Sequence, residues 1–467
     1  MPTPRVPNEL LRLAIAEAGL TYEEVACDVR RVAAEAGQSL RTNASAVYQW
    51  LGGRPPTPDT ARYIAEALSR RLRRHITPED LGWSSLETRS DRADAALGTN
   101  IGPDPADILR RLGEADINRR KILTAAAYSV AAAALPLGLG EATEAQARTE
   151  TVRGGRVGTA DIATARSMLA AFSAIDERQG GQHGRSAVVQ YLRSDVTDIA
   201  RATFSKDADR VDALTVAAAV AYLAGWKAFD AGEHGLSQRY YLQGLGLTHE
   251  ADNPIQSAWF LRIMAHNGMD IERPEHTLGL ADSALSLAAG RVGPGLLSIF
   301  VICRARALAV AGRGPEAVAE VRRAQDLALR GETEGEELPY WVALSGAPRA
   351  AVSSHTAKTF RALRDHANAE RSYAASARGY GKPSDGKSRI TALSLAWQGE
   401  EQAAQGHLEQ ACATWDRALT LFDGIYSDRV VKQVGGIRRQ LAVFESRGVG
   451  AAAQLDESAR AWQLTHA

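Results

Sequence analysis

Residues 42–56, TNASAVYQWLGGRPP, decide how the front of the chain is read. Ala44, Val47, Trp50 and Leu51 recur at helical spacing and form one apolar face. Asn43, Ser45, Tyr48 and Gln49 fall elsewhere around the same helix and are free to point outward. Gly52-Gly53 stops the helix, because glycine takes left-handed dihedrals without steric cost, and Pro55 and Pro56 prevent its resumption. A helix of this size fits the major groove of DNA. Amide and hydroxyl side chains suit base edges, and Arg41 and Arg54 at its two ends suit phosphates.

On the N-terminal side, Asn8 is placed to cap a first helix that runs to about Ala18 and stops at Gly19, with Leu10, Leu11, Ala14 and Ile15 apolar. Thr21 with Glu24 has capping-box spacing and opens a second helix, closed by Gly37, whose inner face is Val25, Ala26, Val29, Val32, Ala33 and Ala36. On the C-terminal side, Thr57 or Asp59 starts a fourth helix with Ile64, Ala65 and Leu68 inward. The turn ITPEDLGW brings Leu81 and Trp83 to close the core. Basic residues dominate 40–75: Arg41, Arg54, Arg62, Arg70, Arg71, Arg73 and Arg74 against Asp59 and Glu66 alone. That balance favours a DNA face over a merely solvated one.

The order of pieces, LTYEEVA at 20–26, ASAVYQWLGGR at 44–54 and IAEAL at 64–68, resembles the lambda-repressor-like (XRE-type) helix-turn-helix family. In that family the N-terminal part of the third helix reads bases. The resemblance implies that Asn43, Ala44, Ser45, Tyr48 and Gln49 face the groove, while Arg41, Thr42 and Arg54 hold the DNA backbone. The interval from Ala26 to Val47 is about ten residues longer than the compact pattern of that family. Either the second helix is extended through 30–36 or the turn carries an insertion around 37–40.

The whole chain has 467 residues, a formal net charge of +0 and 45% hydrophobic content, enough for two or three domains with real cores. Any nucleic-acid site is therefore a local patch. The three cysteines, Cys27, Cys303 and Cys412, have no metal-ligand spacing and read as small buried hydrophobes. The N-terminus has no apolar h-region, so no signal peptide is expected and the chain reads as cytoplasmic and nucleoid-associated.

Residues 84–105 are rich in Ser, Thr, Asp, Gly and Pro and read as a flexible connection, followed by a short helix at 106–114. Arg119-Arg120 before the apolar run TAAAYSVAAAALPLGLG superficially matches a twin-arginine export signal, but it stands behind a whole folded unit. The run is alanine-rich and broken by Pro136, so it reads as a small-residue helix packed on its neighbours, at a dimer interface, and not as a membrane span. Residues 141–158 are read as loose.

From 159 onward, helical stretches recur in pairs divided by glycine breaks at Gly232, Gly312 and Gly406. Second helices carry small and large apolar residues at fixed offsets, as in Ala317/Val321/Ala324 and Ala411/Trp415/Ala418. A period of roughly 34–45 residues with this alternation resembles tetratricopeptide repeats, with Gly225, Gly232, Tyr241 and Gly399 at glycine or aromatic positions. Such pairs must stack to bury their apolar faces, which gives a superhelix with a concave groove. Groove residues are expected from the first helix of each pair: Tyr222, Trp226, Phe229 and Asp230 in the best match, then Arg262, Asn267, Arg306 and Trp397. Each competes with the reading that aromatics at helical spacing are core.

Enzyme signatures are missing from the sequence: no GxxxxGK[ST], no GxSxG, no HExxH, and ten histidines scattered without ligand spacing. No catalytic residue, metal or cofactor is expected. The reading is an all-α protein: a lambda-repressor-like helix-turn-helix domain at 1–83, a linker with an RR/Ala-rich helix at 84–158, and a TPR-like α-solenoid at 159–467. This layout resembles a group of actinobacterial cytoplasmic regulators, of which the NsdA-like negative regulators of differentiation and antibiotic production are members. The resemblance implies a homodimeric sequence-specific repressor that binds a double-stranded DNA operator and takes a peptide or small-molecule effector in its repeat domain. The alternative is a TPR scaffold whose helix-turn-helix unit docks protein rather than DNA.

Overall fold

Helix starts in the N-terminal unit follow from three polar side chains. Asn8 Oδ1 accepts the Leu11 N–H at 2.9 Å and opens α1 (Glu9–Glu17), while its amide donates to the Leu81 carbonyl at 2.8 Å. Thr21 and Glu24 form the expected box, Glu24 accepting the Thr21 N–H at 2.8 Å, ahead of α2 (Tyr22–Glu35). Asn43 accepts the Ala46 N–H at 3.0 Å and caps α3 (Ala44–Leu51); α4 (Pro58–Leu72) follows. These are contacts of a computed structural model that describes residues 6–35, 38–72, 76–83, 97–118, 128–138, 157–380 and 388–466.

The four helices bury Leu11, Val25, Val29, Val47, Leu51, Ile64 and Leu68, and Leu81 and Trp83 close the core. Gly53 sits at φ 87°, where a Cβ would also overlap the Val6 carbonyl, so the entering strand of chain crosses the end of α3 there. The long interval before α3 has two parts: α2 runs on to Glu35, and an irregular segment at 38–43 follows, tied back by Arg30 donating to the Thr42 carbonyl. Two expectations change. Leu10 is half exposed and Cys27 is exposed, because both lie on outer faces of their helices. Ala36 and Gly37 lie outside the described residues.

The connection read as flexible is packed from Leu97 onward. Buried Arg239 donates to the Leu97 carbonyl at 2.8 Å and Gln243 to the Asn100 carbonyl at 2.8 Å. Helix α5 (Pro105–Ile117), capped by Asp104, buries Ala106, Leu109 and Leu112 in the core of the array. Helix α6 (Val130–Gly138) lies between α4 and the array. The twin arginines Arg119-Arg120 lie outside the described residues, as does most of the stretch read as loose at 141–158.

The array begins with α7 (Thr159–Gln179). Next comes α8 (Arg185–Tyr191), which passes through a π-helical turn (Leu192–Val196) into α9 (Thr197–Ala200). Six helix hairpins follow, each packed within itself: α10 (Asp207–Asp230) with α11 (His234–Glu250), α12 (Pro254–Asp270) with α13 (Thr277–Ala288), and α14 (Pro294–Val310) with α15 (Gly314–Thr333). After the short α16 (Tyr340–Ala343) come α17 (Pro348–Ala362) with α18 (His366–Tyr380), α19 (Ser388–Ala404) with α20 (Leu408–Phe422), and α21 (Asp428–Ser446) with α22 (Gly450–His466). Gly232, Gly312 and Gly406 end first helices at φ 78°, 77° and 85°, as the sequence predicts. The protein is all-α, with no strand among the described residues and a solenoid-like succession of hairpins.

The expected open groove is closed. Tyr426 N–H donates to the Gln179 carbonyl at 2.7 Å, and Arg389 reaches Asp176 at 2.6 Å, so α7 packs across to α19 and shuts the inner face into a cavity. Helix α10 is long and apolar enough to cross a membrane, but 78% of its apolar window is buried inside the array.

Candidate functional site

The outward face of α3 is set by what its inward face buries. Val47, Trp50 and Leu51 anchor it, which leaves Ser45, Tyr48 and Gln49 exposed, Tyr48 to 70%. Ala44 is only half-buried. Arg41 and Arg54 are exposed and have no carboxylate partner among the described residues; Arg54 donates to Gln49 Oε1 at 2.9 Å. Asn43 spends its side-chain oxygen on the cap, so only its amide N–H groups remain to face a base. Thr42 is a correction: its side chain is buried and its carbonyl is taken by Arg30.

The arginines of α4 do not add to that face. Arg62 pairs with Asp59 at 3.0 Å and Arg71 with Asp28 at 2.7 Å. Arg70 is bound by Glu66 at 2.8 Å and Glu35 at 2.9 Å, and donates to the Tyr128 carbonyl at 2.9 Å. Burial raises the Glu66 carboxyl, and Arg70 opposes that rise. Glu66 also accepts the Val130 N–H at 3.2 Å, and Glu35 meets Arg273, directly after α12. These groups dock the N-terminal unit on the array. Arg73 and Arg74 lie outside the described residues.

Inside the closed array is a cavity of about 160 Å³. Its aromatic wall comprises Tyr222, Trp226, Trp259, Trp341 and Tyr380, with Leu169, Ile263, Ile299 and Leu393 between them. Its polar wall carries Arg262, His266, His355, Lys358, Arg389 and Arg429 opposed by only two lining carboxylates, Asp176 and Glu177. Asp176 is shared by Arg389 and Lys227, the latter at 3.1 Å. Burial would raise the Asp176 carboxyl, but the two cations outweigh it and hold it down. Asp270 behaves alike: burial opposes its ionisation, yet His266, Lys358 and Arg306 hold it well below the usual carboxylate range. Burial pulls Lys358 down to about 7 against the attraction of Asp270, and pulls His266 down to about 3.

Arg262 stands apart from this network. It is 6% exposed, its guanidinium lies 4.0 Å from the Trp259 ring centroid, and it donates to Tyr222 Oη at 3.2 Å. No carboxylate among the described residues comes within ion-pair distance of it. Its Nε, like His355 Nδ1, is buried with no hydrogen-bond partner.

Of the eight residues expected in the groove, the structure brings Tyr222, Trp226 and Arg262 to the cavity wall. Phe229 is buried beside Trp226, the ring centroids 5.7 Å apart, and packs against His234 without lining the cavity. Asp230 is fully buried, accepting the Gly181 N–H at 2.8 Å and pairing with Arg389 at 3.2 Å. Arg306 pairs with Asp270 at 2.6 Å, Trp397 stacks under Lys358, and Asn267 lines a separate small void with Tyr128 and Phe229. Sequence reasoning missed Asp176, His266, His355, Lys358, Arg389 and Arg429. Their one local signal is a charged or imidazole side chain set into an apolar helix, as in FLRIMAHNGMD around His266.

No group of three or more His, Cys, Asp or Glu side chains able to hold a metal ion occurs among the described residues. No curated protein matches the chain. Residues 11–84, the four-helix unit, match the family described as the SP15 N-terminal domain.

Proposed function

We propose that the chain is a sequence-specific DNA-binding transcriptional regulator, a repressor, whose helical array dimerises and takes an effector. The observation that carries this reading is the exposed Ser45–Tyr48–Gln49 face of α3, flanked by Arg41 and Arg54 without carboxylate partners among the described residues. A helix of eight residues is roughly 12 Å long, close to the width of the major groove. The route from effector to DNA runs along α12. Arg262 and His266 line the cavity, and Arg273, just past the end of the same helix, holds Glu35 of the N-terminal unit. An effector moves the docking equilibrium only by its differential affinity for the two arrangements.

The test is genome-wide DNA capture of the tagged protein beside an Arg41→Ala/Arg54→Ala variant. Sharp peaks that share an inverted motif and vanish in the variant are the expected result. Equal capture by a folded variant sinks the reading. A second reading, a scaffold whose N-terminal unit docks protein, is favoured by one observation: Arg62, Arg70 and Arg71 are all neutralised by carboxylates. Salt separates the two, since DNA affinity falls steeply with ionic strength.

A further inference from the structure

The cavity has the volume of an aromatic ring and a lone cation in its wall. A cavity of about 160 Å³ is close to the roughly 150 Å³ engineered void that holds benzene. Its aromatic side, Tyr222, Trp226, Trp259 and Trp341, offers ring faces and edges to an apolar body. In the buried cluster around it, six cations (Lys227, Arg262, Arg306, Lys358, Arg389 and Arg429) face four carboxylates (Asp176, Glu177, Asp230 and Asp270). Arg389 has three of those carboxylates, at 2.6, 3.2 and 3.4 Å, whereas Arg262 has none. A buried guanidinium without a counter-charge is costly, and an arriving anion removes that cost.

We infer that the cavity binds a small aromatic carboxylate: the ring lies among Tyr222, Trp226 and Trp259, and the carboxylate pairs with Arg262. A single unpaired guanidinium asks for a single negative charge, and its planar fork matches the two oxygens of a carboxylate. His355 Nδ1, buried and unpartnered on the same wall, supplies a further hydrogen-bonding atom. Trp259, stacked on the guanidinium, fixes the plane in which the fork is presented. The inference deepens the effector half of the proposed function, but binding is measured without DNA, so it stands or falls separately from operator recognition.

Calorimetric titration of the full chain tests it, using benzoate, phenylacetate and indole-3-acetate, each beside its neutral primary amide, with inorganic phosphate as a separate arm. At least one acid should bind ten-fold or more tightly than its amide. Arg262→Gln should erase that preference, and Arg262→Lys should restore part of it. The acid-to-amide comparison on the unsubstituted protein stands even if a variant fails to fold. Equal binding of acid and amide, no binding by any of the three acids, or phosphate binding as tightly as the acids would each overturn the assignment. Equal DNA capture by the unsubstituted protein and a folded Arg41→Ala/Arg54→Ala variant, with acid binding intact, would remove the regulator reading and leave this one standing.

Discussion

Gly399 and Trp415 occupy one space: a Cβ on the glycine would overlap the indole, whose Nε1 donates to the Ala396 carbonyl at 2.9 Å. The relationship recurs. A Cβ on Gly225 would stand 2.6 Å from Tyr241 Cε1, and one on Gly244 would overlap the Phe260 ring. In each case the aromatic follows its glycine by sixteen residues. Two of the pairs join the helices of one hairpin, and the third joins α11 to α12. Glycine is required by the depth to which the ring is sunk, since all three have helical neighbours and none needs a left-handed φ.

Gly225→Ala and Gly399→Ala should each destabilise the protein by about 1–3 kcal/mol, the usual cost of overpacking a filled core. Gly436→Ala, on α21 where the nearest atom to a new Cβ is 3.7 Å away, should instead stabilise by about 0.5–1 kcal/mol. Urea unfolding midpoints compare the three. Equal effects at all three positions would mean the rings do not set the packing distance.

Arg389 is the fastening of the closed array. It is 2% exposed and bridges Asp176 on α7 and Asp230 on α10 from α19. Arg389→Met leaves two buried carboxylates short of a partner and should cost about 3–5 kcal/mol. Adding Asp176→Asn and Asp230→Asn should recover part of the loss, because the uncompensated charges are then gone. A loss under about 1 kcal/mol for Arg389→Met would show that closure does not depend on the charge.

Acid should open the cavity wall. Burial lowers His266 to about 3 and His355 well below its ordinary value, so both stay neutral in the folded state where the unfolded chain takes up protons below about pH 6.5. The unfolded state therefore binds more protons, and stability is full above pH 6.5 and falls as pH drops toward 3. At pH 5 the loss is at most about 2 kcal/mol for each histidine. His266→Gln and His355→Gln should flatten the decline, measured as unfolding temperature against pH. An unchanged slope in the double variant would assign the acid sensitivity elsewhere.

The N-terminal unit should come off its seat without unfolding when Arg70 is removed. Arg70→Ala deletes bonds to Glu35, Glu66 and the Tyr128 carbonyl, while Ile64 and Leu68 still fill the unit's core. Amide exchange at 128–138 should rise several-fold, and exchange within α1 to α4 should change little. Faster exchange throughout α2 and α4 would instead give Arg70 a role in folding the unit.

Local chemistry in the sequence determined which segments are helices and where they stop. Asn8 and Thr21 with Glu24 cap as their spacing requires, Asn43, expected to face outward, caps α3 instead, and Gly19, Gly53, Gly232, Gly312 and Gly406 take the positive φ that ends a turn. The inward set of the first four helices, Val25, Val29, Val47, Leu51, Ile64 and Leu68, was legible from period alone, because burial of one face acts over three and four residues. Tertiary structure alone decided which charged faces meet. Asp176 and Arg389 stand 213 residues apart and close the groove, and the carbonyl of Leu97, in a polar stretch, is bound by Arg239, 142 residues later. Arg62, Arg70 and Arg71 form a basic run in sequence but face Asp59, Glu35, Glu66 and Asp28 in space. Helical periodicity says that a side chain points inward or outward. The partner it meets there is fixed by packing between elements distant in the chain, on which the local pattern carries no information.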